Sequence, residues 1–296
     1  MRVLITGGTG FIGGALIERL CQQDTSISVY TRSTSHFDTE FISYLNRLED
    51  IPEDTQFDAF INLAGESMVA GRWNEARKAQ LVASRIDTTR ALVALAARLR
   101  HKPRVVLSAS AIGIYGHQGD DRLAEDAGQE DGFAHRLCQA WETEAHRFEP
   151  LGIRLCILRL GVVLASEGGA MEQLRRTVAF GVGTWLGSGK QWLSWVHRDD
   201  VTAAMEFLLA DESRSGSYNI TAPEPVTNRG LCDELSLRQQ VFLKLSVPGF
   251  VMRLALGEMA LELLLNGQRV VPRRLQEAGF EFRYETLREA LPALYS

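Results

Sequence analysis

The chain has 296 residues, 45% of them hydrophobic and 23% charged, with a net charge of −5, an ordinary balance for one large globular domain or two closely joined ones. The negative sign argues against nucleic acid or an anionic membrane as a general partner, and no apolar run reaches the roughly 18 residues of a membrane span. Cys21, Cys138, Cys156 and Cys232 have neither metal-ligand spacing nor a disulfide framework, so no metal is expected and the cytoplasm is the expected compartment.

Val3-Leu4-Ile5 reads as a strand over residues 2–6, and Ala15-Leu16-Ile17-Glu18-Arg19-Leu20 as a helix over residues 11–22. The apolar start is not a signal peptide, because Gly7 to Gly10 break it at once. Between strand and helix runs Thr6-Gly7-Gly8-Thr9-Gly10-Phe11-Ile12-Gly13. A strand, a tight glycine turn and a helix form the pyrophosphate cradle of a dinucleotide-binding fold. One glycine permits the turn, one lets the backbone approach the phosphates, and one lets the helix pack on the strand. The helix start then offers free N–H groups and a positive dipole end to the anion. Thr6, Gly7, Gly10, Phe11, Ile12 and Gly13 are the candidate cofactor residues of this turn.

Further strands are predicted at residues 26–30, 59–63, 104–108 and 153–158, and helices at 74–100 and 132–148. Helix 74–100 carries Leu81, Ile86, Leu92, Val93, Leu95 and Leu99 on helical spacing, with an exposed face rich in arginine. Strands alternating with crossover helices imply an α/β fold with a Rossmann-type, doubly wound parallel sheet. Its ligand belongs at the carboxyl ends of the strands. The glycine turn, Asn62-Leu63-Ala64-Gly65 and Ser108-Ala109-Ser110 all fall at such ends. Residues 1–164 are the expected nucleotide-binding domain, with a returning segment near 195–222.

After Leu164 the pattern changes. Gly168, Gly169, Gly181, Gly183, Gly187 and Gly189 punctuate the chain, and Trp185, Trp192 and Trp195 cluster, either as a pocket wall or as core. A strand returns at 217–220, and Pro223 and Pro225 mark a break. Residues 165–296 read as a smaller mixed lobe for the substrate, with helices near 250–265 and 273–278 before the alternating Phe280-Glu281-Phe282-Arg283-Tyr284. A cofactor domain joined to a small lobe builds a cleft.

At the end of the second strand a dinucleotide fold places Asp or Glu on the ribose 2′-OH of NAD. This chain reads Val29-Tyr30-Thr31-Arg32-Ser33 there. A guanidinium grips a 2′-phosphate bidentately, so Arg32 favours NADP over NAD. Small residues at the end of the strand predicted over 59–63 allow close approach of a ligand. Leu63, Ala64, Gly65 and Glu66 extend the candidate cofactor set; a turn that merely requires Gly65 is the alternative.

These motifs resemble the extended and atypical branch of the short-chain dehydrogenase/reductase superfamily, in order along the whole chain. The glycine turn and Asn62-Leu63-Ala64-Gly65 resemble its nucleotide motifs. Ser108-Ala109-Ser110 followed by Ile114-Tyr115-Gly116 resembles the serine-bearing strand end of sugar-nucleotide epimerases. Gly187-Ser188-Gly189-Lys190-Gln191, running into Trp195-Val196-His197-Arg198-Asp199-Asp200-Val201, resembles their later signature. Leu63-Ala64-Gly65-Glu66, Arg72-Trp73, Gly267-Gln268-Arg269-Val270 and Pro272-Arg273-Arg274-Leu275 look like the subgroup called epimerase family proteins, which has a small extra C-terminal domain.

The resemblance implies a Tyr-x-x-x-Lys pair on one helical face, the tyrosine moving a proton and the lysine lowering its pKa. No tyrosine here has a lysine four residues later; aligning the helix by Glu142 puts Ala134 and Cys138 in those places. The replacements weighed are Ser110, Tyr115, His135 and Cys138, with Ser110 and Tyr115 the candidate catalytic residues. A second departure is Leu193, where sugar-nucleotide enzymes carry an arginine for the diphosphate, and a third is Arg85, close to where the family has an asparagine near the nicotinamide ribose, which the resemblance adds to the cofactor set. Asp199-Asp200 is expected to cap a helix, and Arg269, Arg273 and Arg274 to be solvated, paired with acids or turned to the cleft. The expected activity is an NADP(H)-binding oxidoreductase acting on a small carbonyl or hydroxyl compound. The alternatives are a non-catalytic NADP(H)-binding regulator and a nucleotide-sugar epimerase. The expected partner is a small-molecule substrate, with a homodimer left open.

Overall fold

The computed structural model describes residues 1–168, 171, 181–238 and 241–295; Gly169, one of the punctuating glycines, lies outside them. Strands β1 (Arg2–Thr6), β2 (Ser26–Tyr30), β3 (Ile42–Leu45), β4 (Ala59–Asn62) and β5 (Val105–Ala111) join Arg154–Leu160 and Gly216–Ile220 in one sheet. Its order is Gly216–Ile220, Arg154–Leu160, β5, β4, β1, β2, β3, and every pairing is parallel.

The period-two alternation of β1 decides which residues meet which helices. Val3 and Ile5 face one side, where they pack with Leu16 and Leu20 of helix α1 (Phe11–Cys21) and with Ala204, Met205 and Leu208 of the helix Arg198–Ala210. Leu4 faces the other side, with Phe60, Val106 and Leu92, Leu95 and Leu99 at the end of helix α2 (Glu75–Arg98). Each such fully buried side chain contributes about 2 kcal/mol. The expected apolar stripe of α2 is buried in full, but its arginines are not all solvated: Arg85 is buried, and Arg98 donates to the Ile51 and Leu48 carbonyls.

The C-terminal region is smaller and built from short pairs. Val182–Leu186 pairs with Leu243–Val247, and Trp195–His197 with Val162–Leu164. Trp195 is fully buried in a cluster with Leu231, Leu235, Leu287 and Leu291. The helix expected over 250–265 is broken: Gly249–Leu256 ends at Gly257, whose φ is 64°, before a wider turn over Ala260–Leu265. The alternating segment 280–284 forms no strand; Phe280 and Tyr284 are buried as single anchors. Strand β3 and the helices Arg198–Ala210, Asn228–Ser236 and Leu287–Leu294 add to the expected elements. Among the described residues no helix is long and apolar enough to cross a membrane.

Candidate functional site

The glycine turn is fixed by steric necessity. Gly7 has φ +71°, and a Cβ there would lie 2.5 Å from the Leu63 carbonyl oxygen. A Cβ on Gly13 would lie 2.3 Å from the Gly7 carbonyl oxygen, so α1 can reach β1 only with hydrogen at that position. Gly10 opens α1 without any side-chain cap, leaving the first N–H groups of the helix for an anion. Thr6, expected among the ligand contacts, is fully buried beneath this turn. Its hydroxyl donates to Asn62 Oδ1 at 2.7 Å and accepts from the Ala64 N–H at 3.3 Å. It therefore fixes the path of Leu63, Ala64 and Gly65.

Two cavities meet over the turn and share Gly7, Gly10, Leu63 and Gly65. The outer one, about 650 Å³, is lined by Tyr30, Thr31, Arg32, Ser33, Ala64 and Glu66 among others. The side chain of Arg32 is 83% exposed, and its Nη2 donates to Glu66 Oε1 at 2.7 Å. Arg32, and less strongly Arg77, hold the Glu66 carboxyl below its ordinary pKa. An exposed pair of this kind is worth about 0–1 kcal/mol, so a stronger anion displaces Glu66 at little cost.

The inner cavity, about 520 Å³, has a mainly apolar wall that includes Phe11, Ile12, Gly13, Ala134, Cys138 and Trp141. Its polar lining includes Arg85, Ser110, Glu262 and Gln268. Ser110 ends β5 and is almost wholly buried; its hydroxyl donates to Glu142 Oε1 at 2.7 Å. Glu142, on helix α3 (Phe133–Ala145), is gripped by Arg159 through Nε at 3.0 Å and Nη2 at 2.9 Å. Burial works against the Arg159 charge, but the Glu142 carboxylate outweighs it and raises the pKa.

Tyr115 is the main correction to the sequence reading. It is fully buried and absent from the inner cavity wall. Its hydroxyl donates to Asn219 Oδ1 at 2.7 Å and accepts from Arg159 Nη1 at 2.9 Å. Burial raises its pKa further, so its geometry places the phenol in the support of the site. The other two replacements fare no better as acids. Burial pushes the Cys138 thiol up to about 12, and His135 turns Nδ1 to the Ile114 carbonyl at 2.6 Å.

Trp185, Trp192 and Trp195 line neither cavity. Trp195 is core, Trp185 carries the Arg229 guanidinium over its ring, and Trp192 donates to Asp120 at 2.7 Å. Asp199 and Asp200 lie in the first turn of Arg198–Ala210, whose N-cap is His197. Arg273 pairs with Asp126 at 2.6 Å, Arg274 donates to the Ser217 and Ser215 carbonyls, and Arg269 lies over Trp192, so none of the three lines the inner cavity. Sequence reasoning missed Glu262. Its carboxylate accepts from the Phe133 and Ala134 N–H groups at 2.8 and 2.7 Å, so the C-terminal region caps the helix that floors the cavity. Nothing in local sequence ties residues 129 positions apart.

Residues 3–221 match the family model described as the NAD dependent epimerase/dehydratase family, and residues 247–294 match a domain of unknown function (DUF1731). The chain is 34% identical over 299 residues to Epimerase family protein YfhF of Bacillus subtilis, covering 99% of this chain and 98% of that protein. It is similar to the crystal structure of human epimerase family protein SDR39U1 with NADPH, at a TM-score of 0.89 and 28% identity, covering 100% and 99% of the two chains. It is also similar to a nucleoside-diphosphate sugar epimerase from Corynebacterium glutamicum, at a TM-score of 0.80 and 27% identity, covering 100% of this chain and 58% of that one.

Proposed function

The chain belongs to the NAD dependent epimerase/dehydratase family, and on that premise we propose that it binds NADP(H) across the two joined cavities and acts as an oxidoreductase on a small carbonyl or hydroxyl compound. The observation that carries the reading is the uncapped helix start at Gly10, flanked on one side by Arg32 and on the other by Ser110. The N–H groups of α1 hold the pyrophosphate. Arg32 leaves Glu66 for the 2′-phosphate, and the relative bound to NADPH supports that choice. The bound coenzyme supplies or accepts hydride at the inner cavity.

The residues of this chain do the rest. Ser110 commits its proton to Glu142, because an ionised carboxylate only accepts. Ser110 lines the inner cavity with its oxygen left as an acceptor, shared with the Cys138 thiol and suited to the O–H of a hydroxyl compound. Arg159 locks Glu142, and Tyr115 and Asn219 lock Arg159. Ala134, Leu137 and Trp141 give the inner cavity an apolar wall. Leu193 stands where a diphosphate-gripping arginine is expected, which weighs against a nucleotide sugar.

A second reading, a non-catalytic NADP(H)-binding regulator, is favoured by Ala134 and Cys138 in the usual acid–base positions and by the inward turn of Tyr115. A change in NADPH fluorescence on binding is expected under both. Steady coenzyme turnover with a member of a broad carbonyl and alcohol panel supports the enzyme. Binding at micromolar affinity or tighter with no turnover on the whole panel overturns it in favour of the regulator.

A further inference from the structure

We infer that the buried guanidinium of Arg85 makes this pocket bind the reduced coenzyme more tightly than the oxidised one. The inference rests on the NADP(H) reading above. Arg85 projects from α2 into the inner cavity and is only 9% exposed. Its donors go to neutral acceptors: Nη1 to the Leu81 carbonyl at 3.1 Å and Ser84 Oγ at 3.3 Å, Nη2 to the Glu66 carbonyl at 3.0 Å. The Trp141 ring lies 5.2 Å from its Cζ.

No carboxylate among the described residues forms an ion pair with this guanidinium, although the Glu66 charge acts on it from a distance. Glu66 turns its carboxylate outward, to Arg32 at 2.7 Å and Arg77 at 3.7 Å. Glu142 is paired with Arg159. Glu262 is held by two N–H groups at the start of α3, whose dipole end offsets it. Burial lowers the pKa of Arg85 and outweighs the pull of Glu66, the direction expected of a cation that has lost water without gaining a paired anion.

If Arg32 takes the adenosine end in the outer cavity, the nicotinamide end falls to the inner one, beside Arg85. The two forms of the coenzyme differ there by one charge: the oxidised nicotinamide ring is cationic and the reduced ring is neutral. Like charges in a site of low dielectric repel, so Arg85 disfavours the oxidised ring and leaves the reduced ring untouched.

Calorimetric titration of NADPH and NADP⁺ into the wild-type protein, Arg85→Gln and Arg85→Lys tests this, with 2′,5′-ADP as a probe of the adenosine end. The wild type is expected to bind NADPH about tenfold or more tightly than NADP⁺. Arg85→Lys keeps that ratio. Arg85→Gln brings it to within about threefold, and 2′,5′-ADP reports separately any loss at the adenosine end, which would weaken both coenzymes alike. Equal affinities in the wild type overturn the inference, whether or not the glutamine variant folds, as does a preference that survives in Arg85→Gln. If neither coenzyme binds, it is the NADP(H) reading that has failed.

Discussion

Ser110 Oγ and Glu142 Oε1 lie 2.7 Å apart, both buried, with Arg159 donating to both oxygens of the carboxylate. The energetic weight of this chain is unequal. Glu142→Gln leaves Arg159 as a buried cation without its anion and is expected to cost about 3 kcal/mol. Ser110→Ala removes one donor from a carboxylate that keeps its partner, and is expected to cost about 1 kcal/mol. Urea denaturation of the two variants gives both values, and equal losses would contradict the ranking.

Two glycines of the turn are required for different reasons. Gly13→Ala forces a methyl to within 2.3 Å of the Gly7 carbonyl oxygen and is expected to lower stability by about 2 kcal/mol or more. Gly10→Ala meets only the same oxygen, at 3.1 Å. It is expected to fold with nearly the wild-type Tm and to lose about tenfold or more in NADPH affinity, because its methyl occupies the path of the pyrophosphate. Thermal melts with and without NADPH separate the two.

Arg32→Asp tests the choice of coenzyme. It removes the guanidinium and sets a second carboxylate beside Glu66. NADPH is expected to lose about thirtyfold in affinity, about 2 kcal/mol, and NADH far less. Parallel fluorescence titrations read the ratio; equal losses would mean that Arg32 does not meet a 2′-phosphate.

Asp200 gives a pH dependence. Burial pushes its carboxyl up to about 6, although it accepts the Arg283 and Tyr284 N–H groups that tie the C-terminal segment to the sheet domain. The folded pKa exceeds the unfolded value near 4, so the stabilisation is fully present below about pH 4 and is lost as pH rises through about 6. The loss is expected to be about 2–3 kcal/mol. Denaturation midpoints between pH 4 and 7 should fall less steeply in Asp200→Asn, which cannot ionise, than in the wild type.

Much of the sheet domain was legible because its signals are local. Val3-Leu4-Ile5, the glycines and the spacing of Leu81 to Leu99 each act within one element, and each falls where the pattern put it. Strand β3 was not legible: Ile42 to Leu45 are all only half-buried at the sheet edge, so the apolar alternation is weak. The cavity lining was legible at Gly7, Gly10, Gly13, Arg32 and Ser110, which lie at or just after strand ends. It was not for Tyr115, whose direction depends on Arg159 and Asn219, 44 and 104 residues away. The signal was there in part: Arg159 interrupts Ile157-Leu158-Arg159-Leu160 and Asn219 follows Tyr218, polar groups in buried strands that need buried partners.

The most direct measurement is calorimetry of the wild-type protein with NADPH and with NADH. The account predicts one NADPH per chain at micromolar affinity or tighter, with NADH markedly weaker. No heat with either coenzyme, at concentrations well above micromolar, would contradict it.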